Sequence, residues 1–271
     1  MDADNVSISG TQKMGTCVSP KDTAPDTGVE RASCRVRNEA GSQTENEGDA
    51  MQSWPESEQV AELTGSILGD GNIYDKRPTY VELCGNPTTD LEYFKRILIP
   101  IVNHELNREP QLFVRDGGLR FRINSRAFVA WLKEIGIPSG EAKASAIIPD
   151  FILKNRALLV CCIRGVFDTD GSVYFDLRPA YKRPYPRIDL HMTNARLLEQ
   201  MDRLLNDFGI KHSFVRKKGS LITAGVDSLT KFLMVIGFSN PRHIRRIEAR
   251  YPRLSRYNRV SPPEEPRDAV E

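Results

Sequence analysis

The sequence predicts an α+β protein made by duplication, with two α-β-β-α-β-β-α units in one chain of 271 residues. Three observations predict it. Two helical stretches close on Asp-Gly, at Asp70-Gly71 and Asp170-Gly171, an offset of 100. Further on, Phe113-Val114-Arg115 recurs as Phe214-Val215-Arg216, Gly118 as Gly219, Trp131 as Phe232 and Ile135-Gly136 as Ile236-Gly237, an offset of 101. The same succession of helix-period and strand-period segments runs through both halves.

Taken in order, a helix over about 58 to 69, and again over about 156 to 169, ends in the acidic-glycine pair. Two strands follow, best seen at Thr79 to Asn86 and at Arg187 to Thr193. Apolar residues at helical spacing come next: Leu91, Phe94, Leu98, Ile101 and Val102, then Leu197, Leu198, Met201, Leu204 and Leu205. Hairpins closed by Asp116-Gly117-Gly118 and by Lys217-Lys218-Gly219 follow. A third helix stops at Gly136 and at Gly237. These units occupy residues 58–155 and 156–251, between an acidic leader, 1–57, and a proline-bearing tail, 252–271, both expected to be flexible.

Charge separates along the same boundaries. The whole chain carries a net +2, yet residues 1–57 hold 5 basic and 10 acidic side chains. Residues 58–251 hold 29 basic and 22 acidic, a net +7 that favours a polyanionic partner such as nucleic acid. No run approaches the ~20 apolar residues of a membrane span, and no secretory signal is expected. The five cysteines, Cys17, Cys34, Cys84, Cys161 and Cys162, lack metal-site spacing; Cys161 and Cys162 read as buried helix fillers in a protein of a reducing, intracellular setting.

The motifs carry the chemistry. In Leu63-Thr64-Gly65-Ser66-Ile67-Leu68-Gly69-Asp70-Gly71, the small residues Gly65 and Gly69 share a helix face; Gly165 and Thr169 repeat the arrangement in Ile163 to Gly171. Helices packed along those faces bring Asp70 and Asp170 together, and two close carboxylates repel unless a cation lies between them. Such an oxygen site suits Mg²⁺, with Mn²⁺ as a substitute.

The pair of motifs resembles the two signatures of LAGLIDADG homing endonucleases of the single-chain, pseudo-dimeric type, over residues 58 to about 250. The resemblance implies a pseudo-two-fold saddle of antiparallel sheets and metal-dependent hydrolysis of both strands of double-stranded DNA by a monomer. It makes Asp70 and Asp170 catalytic metal ligands, assisted by the carbonyls of Gly69 and Thr169. Leu68 departs from the consensus aspartate that Asp168 keeps. Lys143 stands where the family places a catalytic lysine, with Arg242 or His243 at the matching place of the second half. Asn86 stands where a water-orienting amide is common. An intron RNA-splicing maturase, with intron RNA as partner, or a non-cleaving DNA-binding protein remains the alternative on the same scaffold.

A DNA-facing sheet needs one apolar and one polar face. Arg187, Asp189 and His191 alternate with apolar neighbours, as do Arg120 and Arg122, while Arg115, Arg216 and Lys218 lie at hairpin ends. Lys182 and Arg183, in a basic aromatic loop, are expected to follow the phosphate backbone. Leu221 and Thr223 match Arg120 and Arg122 at the 101 offset, so the second hairpin is less basic and the target asymmetric.

Overall fold

A computed structural model describes residues 54–260, all within one compact unit. Most of the expected leader, with Cys17 and Cys34, and the end of the expected tail, 261–271, lie outside the described residues.

Helix α1, Glu58–Asp70, starts where the Ser57 hydroxyl accepts from the Val60 N–H at 3.1 Å. It runs directly into β1, Gly71–Tyr74, and β2, Tyr80–Gly85. A helical run follows, formed by α2, Leu91–Tyr93, a π-helical stretch, Phe94–Leu98, and α3, Ile99–Glu105. Then come β3, Gln111–Arg115, β4, Gly118–Ile123, α4, Arg126–Glu134, a 3₁₀ turn, Gly140–Ser145, and the short α5, Asp150–Lys154. The order repeats as α6, Arg156–Asp170, β5, Gly171–Asp176, β6, Tyr185–His191, α7, Ala195–Asp207, β7, His212–Val215, β8, Ser220–Ala224, and α8, Val226–Val235. Helix α9, Pro241–Glu248, follows α8 within the second half. The strands form two four-stranded antiparallel sheets, ordered β1-β2-β4-β3 and β5-β6-β8-β7.

Strand alternation decides which side of each sheet is buried. In β6, Pro186, Ile188 and Leu190 face the core, leaving Arg187, Asp189 and His191 on the open side. In β4, Leu119, Phe121 and Ile123 face inward and Arg120 and Arg122 outward.

The registers correct the sequence alignment of the halves. Arg122 pairs with Glu82, and Ile222 pairs with Asp189; Arg120 pairs with Cys84, and Ser220 with His191. The open-face counterparts of Arg120 and Arg122 are therefore Ser220 and Ile222, at an offset of 100. Leu221 and Thr223 point into the core, because a one-residue slip exchanges the faces of a strand. The repeated Phe-Val-Arg is likewise out of step: Phe214 packs on the core as Leu112 does, while Phe113 lies under the Arg122 guanidinium. The offset of 101 at the later glycines arises because α8 is one residue longer than α4.

Both ends of the body also differ from expectation. Trp54, placed with the leader, is buried edge-on to Phe128 at a centroid distance of 5.9 Å. Residues 252–260, placed with the flexible tail, pack against the second half. There Leu254 and Tyr257 meet the core, and the Asn258 side chain bridges both backbone groups of Phe238, at 2.8 and 2.9 Å.

Candidate active site and nucleic-acid face

Helices α1 and α6 touch backbone to backbone. A Cβ on Gly65 would sit 1.9 Å from the Cys162 carbonyl oxygen, and one on Gly165 would sit 2.1 Å from that of Glu62. Only glycine admits this approach. Beside it lies a buried ion pair across the halves, Arg164 to Glu62 at 3.0 Å, whose guanidinium also donates to the Ile236 carbonyl at 3.0 Å. Cys161 and Cys162 fill the same helix as buried thiols, and burial pushes Cys161 up to about 11.

The shared end of the two helices brings Asp70 and Asp170 into hydrogen-bonding contact. Asp70 keeps an outer edge open to water and Asp170 is half-buried, while helix ends and loops crowd their inner sides. That crowding raises the pKa of both carboxyls, and the charge of Asp70 drives Asp170 further up. Left to themselves, the two retain a shared proton at pH values where ordinary aspartates are ionised. Replacing that proton by a divalent cation is what such a pair of oxygen donors fits.

Two cationic side chains flank the dyad in matched positions. The Lys143 Nζ, from the 3₁₀ turn after α4, donates to the Gly69 carbonyl at 2.8 Å. Burial lowers its pKa to about 8, against the opposing pull of Asp170 and Asp70. After α8, Arg242 donates to the Thr169 carbonyl at 2.9 Å, to that of Asp168 at 3.2 Å and to that of Gly171 at 3.4 Å. It also pairs with Asp90 at 2.7 Å. Both motif carbonyls expected to face a metal thus already accept a charged donor, each keeping a second lone pair.

The structure separates the two residues considered for the second basic position. Arg242 occupies it, whereas His243 turns into the core against Phe238, at 4.6 Å between ring centroids, with no partner for Nδ1 among the described residues. Burial first, then Arg242 and Arg246, holds the imidazole well below its usual value, so it is neutral. Asp168 lies two residues before Asp170 on the opposite side of α6 and is fully buried. Its oxygens accept from the Ser239 and Asn240 N–H groups at 3.0 and 3.1 Å, anchoring the loop into α9. Leu68 occupies the equivalent core position in α1.

The Asn86 side chain is exposed and takes part in a turn. Its Oδ1 accepts from Thr88 and Thr89 at 2.8 and 3.2 Å, closing the turn into α2.

On the first open face, Glu82 gathers the arginines. Arg122 donates to it at 2.9 and 2.6 Å and lies over Tyr80, 4.3 Å from the ring centre. Arg120 approaches Glu82 at 3.8 Å and Cys84 Sγ by a short contact. Arg115 stands exposed at its hairpin beside Asp116. The second open face differs. Asp189, the counterpart of Glu82, faces Ser220 and Ile222 instead of arginines, and its Oδ1 is buried with no partner among the described residues. Burial raises its pKa against His191, Ser220 and Lys218. His191 Nδ1 lies 3.1 Å from Ser220 Oγ, and Arg187 pairs with Asp176 at 3.3 Å. Lys218, Lys182 and Arg183 are exposed. Arg216 is a correction: it lies over the inward-facing Phe214 and pairs with Glu199 of α7 at 3.0 Å, on the helix side of the sheet.

Residues 159–237 match the LAGLIDADG-like domain. An uncharacterized protein of Methanocaldococcus jannaschii is 25% identical over 171 residues, covering 62% of this chain and 61% of its own length. The tRNA-splicing ligase RtcB of Pyrococcus furiosus is 24% identical over 216 residues, 68% of this chain and 20% of the ligase. The chain thus spans about three fifths of the first relative and one fifth of the second. Among solved structures, I-DmoI in complex with DNA and Mn is 19% identical, covering 67% of this chain and 97% of that one, with a TM-score of 0.46. The homing endonuclease I-WcaI bound to its DNA recognition sequence is 18% identical, covering 73% and 87%, with a TM-score of 0.46.

Proposed function

With residues 159–237 identified as a LAGLIDADG-like domain, we propose that this protein is a monomeric, site-specific double-strand DNA endonuclease that uses a divalent cation. The observation that carries the proposal is the meeting of Asp70 and Asp170, one from each half, between two open sheet faces. A binding protein gains nothing from holding two carboxylates in contact at the cost of their desolvation.

Asp70 and Asp170 would hold the cation, with the Gly69 and Thr169 carbonyls beside it. Mg²⁺, or Mn²⁺ in its place, supplies a Lewis acid and a water acidic enough to attack a phosphodiester. Lys143 and Arg242 do the rest of the electrostatic work from the chain itself. Each fixes a positive charge beside the dyad, where phosphate oxygens gain charge as the bond breaks. Lys143 can also exchange a proton near neutral pH, whereas Arg242 stays charged and is held by five acceptors: Asp90, the Asp168, Thr169 and Gly171 carbonyls, and His243 Nε2.

The target is long and asymmetric in this reading. Glu82 with Arg120 and Arg122 forms a cluster of net charge +1 on one face, while Asp189 stands beside Ser220 and Ile222 on the other. Incubating a randomised duplex library with Mg²⁺ and sequencing the new ends tests this. Recovery of an extended, non-palindromic site supports it, and a perfect palindrome refutes the asymmetry.

A further inference from the structure

We propose that the arginines of α9 and the segment after it form a rail for the DNA phosphate backbone along one flank of the second half, extending contact beyond the sheet face. The proposal rests on the DNA-binding reading above. Residues 242–259 contain seven arginines (Arg242, Arg245, Arg246, Arg250, Arg253, Arg256 and Arg259) and a single acidic residue, Glu248.

The segment keeps step with the edge strand β5. Arg242 donates to the Gly171 carbonyl at 3.4 Å, and four residues later Arg246 donates to that of Val173 at 3.3 Å. Tyr251 then stacks on Phe175 at 5.8 Å, and its hydroxyl donates to the Pro184 carbonyl. Four helical residues advance about 6 Å and two strand residues about 6.6 Å, so helix and strand run side by side. The line starts at the carboxylate dyad and ends at the loop carrying Lys182 and Arg183.

Arg242 and Arg246 have a structural duty, since they satisfy carbonyls on the unpaired edge of β5. That duty does not extend to Arg250 and Arg253, which are exposed, or to Arg245, which is two-thirds exposed and paired at the surface with Glu92 at 2.5 Å. Exposed pairing of that kind yields readily to a phosphate. The first half has only Glu141 and Lys143 in the corresponding 3₁₀ turn, so the added contact is one-sided. A dense row of seven guanidinium groups continuous with the active site, set against Asp90, Glu92 and Glu248, matches a polyphosphate backbone in charge and in extent.

The test compares the full chain with Arg245→Gln/Arg250→Gln/Arg253→Gln, and with a charge-matched control, Arg196→Gln/Arg203→Gln/Lys211→Gln, on the helix side of the sheet. Thermal melting confirms that each is folded. Duplex binding is measured against salt, and hydroxyl-radical footprints are taken on the selected site. We expect the rail variant to lose about 2–3 from the slope of log K against log salt, and to lose protection on one flank only, while the control keeps both. Equal losses in both variants, or an unchanged slope in the rail variant, overturn the rail. Absence of salt-dependent duplex binding by the parent overturns the endonuclease reading and the rail together.

Discussion

The Lys143 ammonium lies 2.8 Å from the Gly69 carbonyl, and the second half answers with Arg242 at 2.9 Å from the Thr169 carbonyl. The two halves thus present different cations to equivalent backbone atoms, beside the same pair of carboxylates. Chemical asymmetry is built into the centre of the site as well as into its faces.

The dyad makes a prediction about stability that needs no DNA. Asp170→Asn removes a carboxyl whose pKa is raised by burial and by the charge of Asp70, so in metal-free buffer near neutral pH, where ionising it costs free energy, the variant should be at least as stable as the parent. Mg²⁺ at ten times its dissociation constant should stabilise the parent by about 1.4 kcal/mol and leave the variant unmoved. Calorimetric melting with and without Mg²⁺ measures both, and equal stabilisation of parent and variant would place the ion elsewhere.

Gly65→Ala should separate the helices. The new methyl would meet the Cys162 carbonyl at 1.9 Å, and overpacking of this kind costs about 2 kcal/mol or more. The better helix propensity of alanine returns only about 1 kcal/mol. Urea denaturation should show a net loss; a variant as stable as the parent would mean that the helices can slide apart freely.

His243 predicts a dependence on acid. The unfolded chain takes up a proton there below about pH 6.5, while the buried imidazole does not. Stability therefore falls as pH drops through that value, by up to about 1.4 kcal/mol per unit. Replacing His243 by Phe should remove this component, leaving other titrations in place. Parallel pH slopes for parent and variant between pH 5 and 7 would show that the buried ring does titrate.

Asp189 should read a base. A carboxylate on the open face, set beside Ser220 and Ile222 rather than arginines, accepts well from the amino group of cytosine, a discrimination of about 1–3 kcal/mol per good contact. Asp189→Ala should relax the preference at one position of the selected site and leave the others alone. Uniform weakening at every position would assign Asp189 to folding or to the general field instead.

Much of this was legible in the sequence. Element order, both packed helices and the pairing of Asp70 with Asp170 follow from periodicity and from two motifs with small-residue faces. Strand register was less legible, since Phe113 and Phe214 look alike as letters and face opposite sides of their sheets. Pairing partners were hidden for the same reason: nothing local marks Glu82 as the neighbour of Arg120 and Arg122, or Glu199 as that of Arg216. The turn role of Asn86 was hidden because it depends on Thr88 and Thr89 folding back onto it. The arginines after Pro241 were visible but fell across the assumed boundary between body and tail, which divided their charge between two regions.

The central claim is that Asp70 and Asp170 together form the hydrolytic centre. Its most direct measurement is strand-resolved cleavage of the selected duplex in Mg²⁺ by the parent, Asp70→Asn and Asp170→Asn, with binding measured in parallel. The account predicts loss of double-strand cutting in both variants with duplex affinity largely kept. Full cutting by either variant would contradict it.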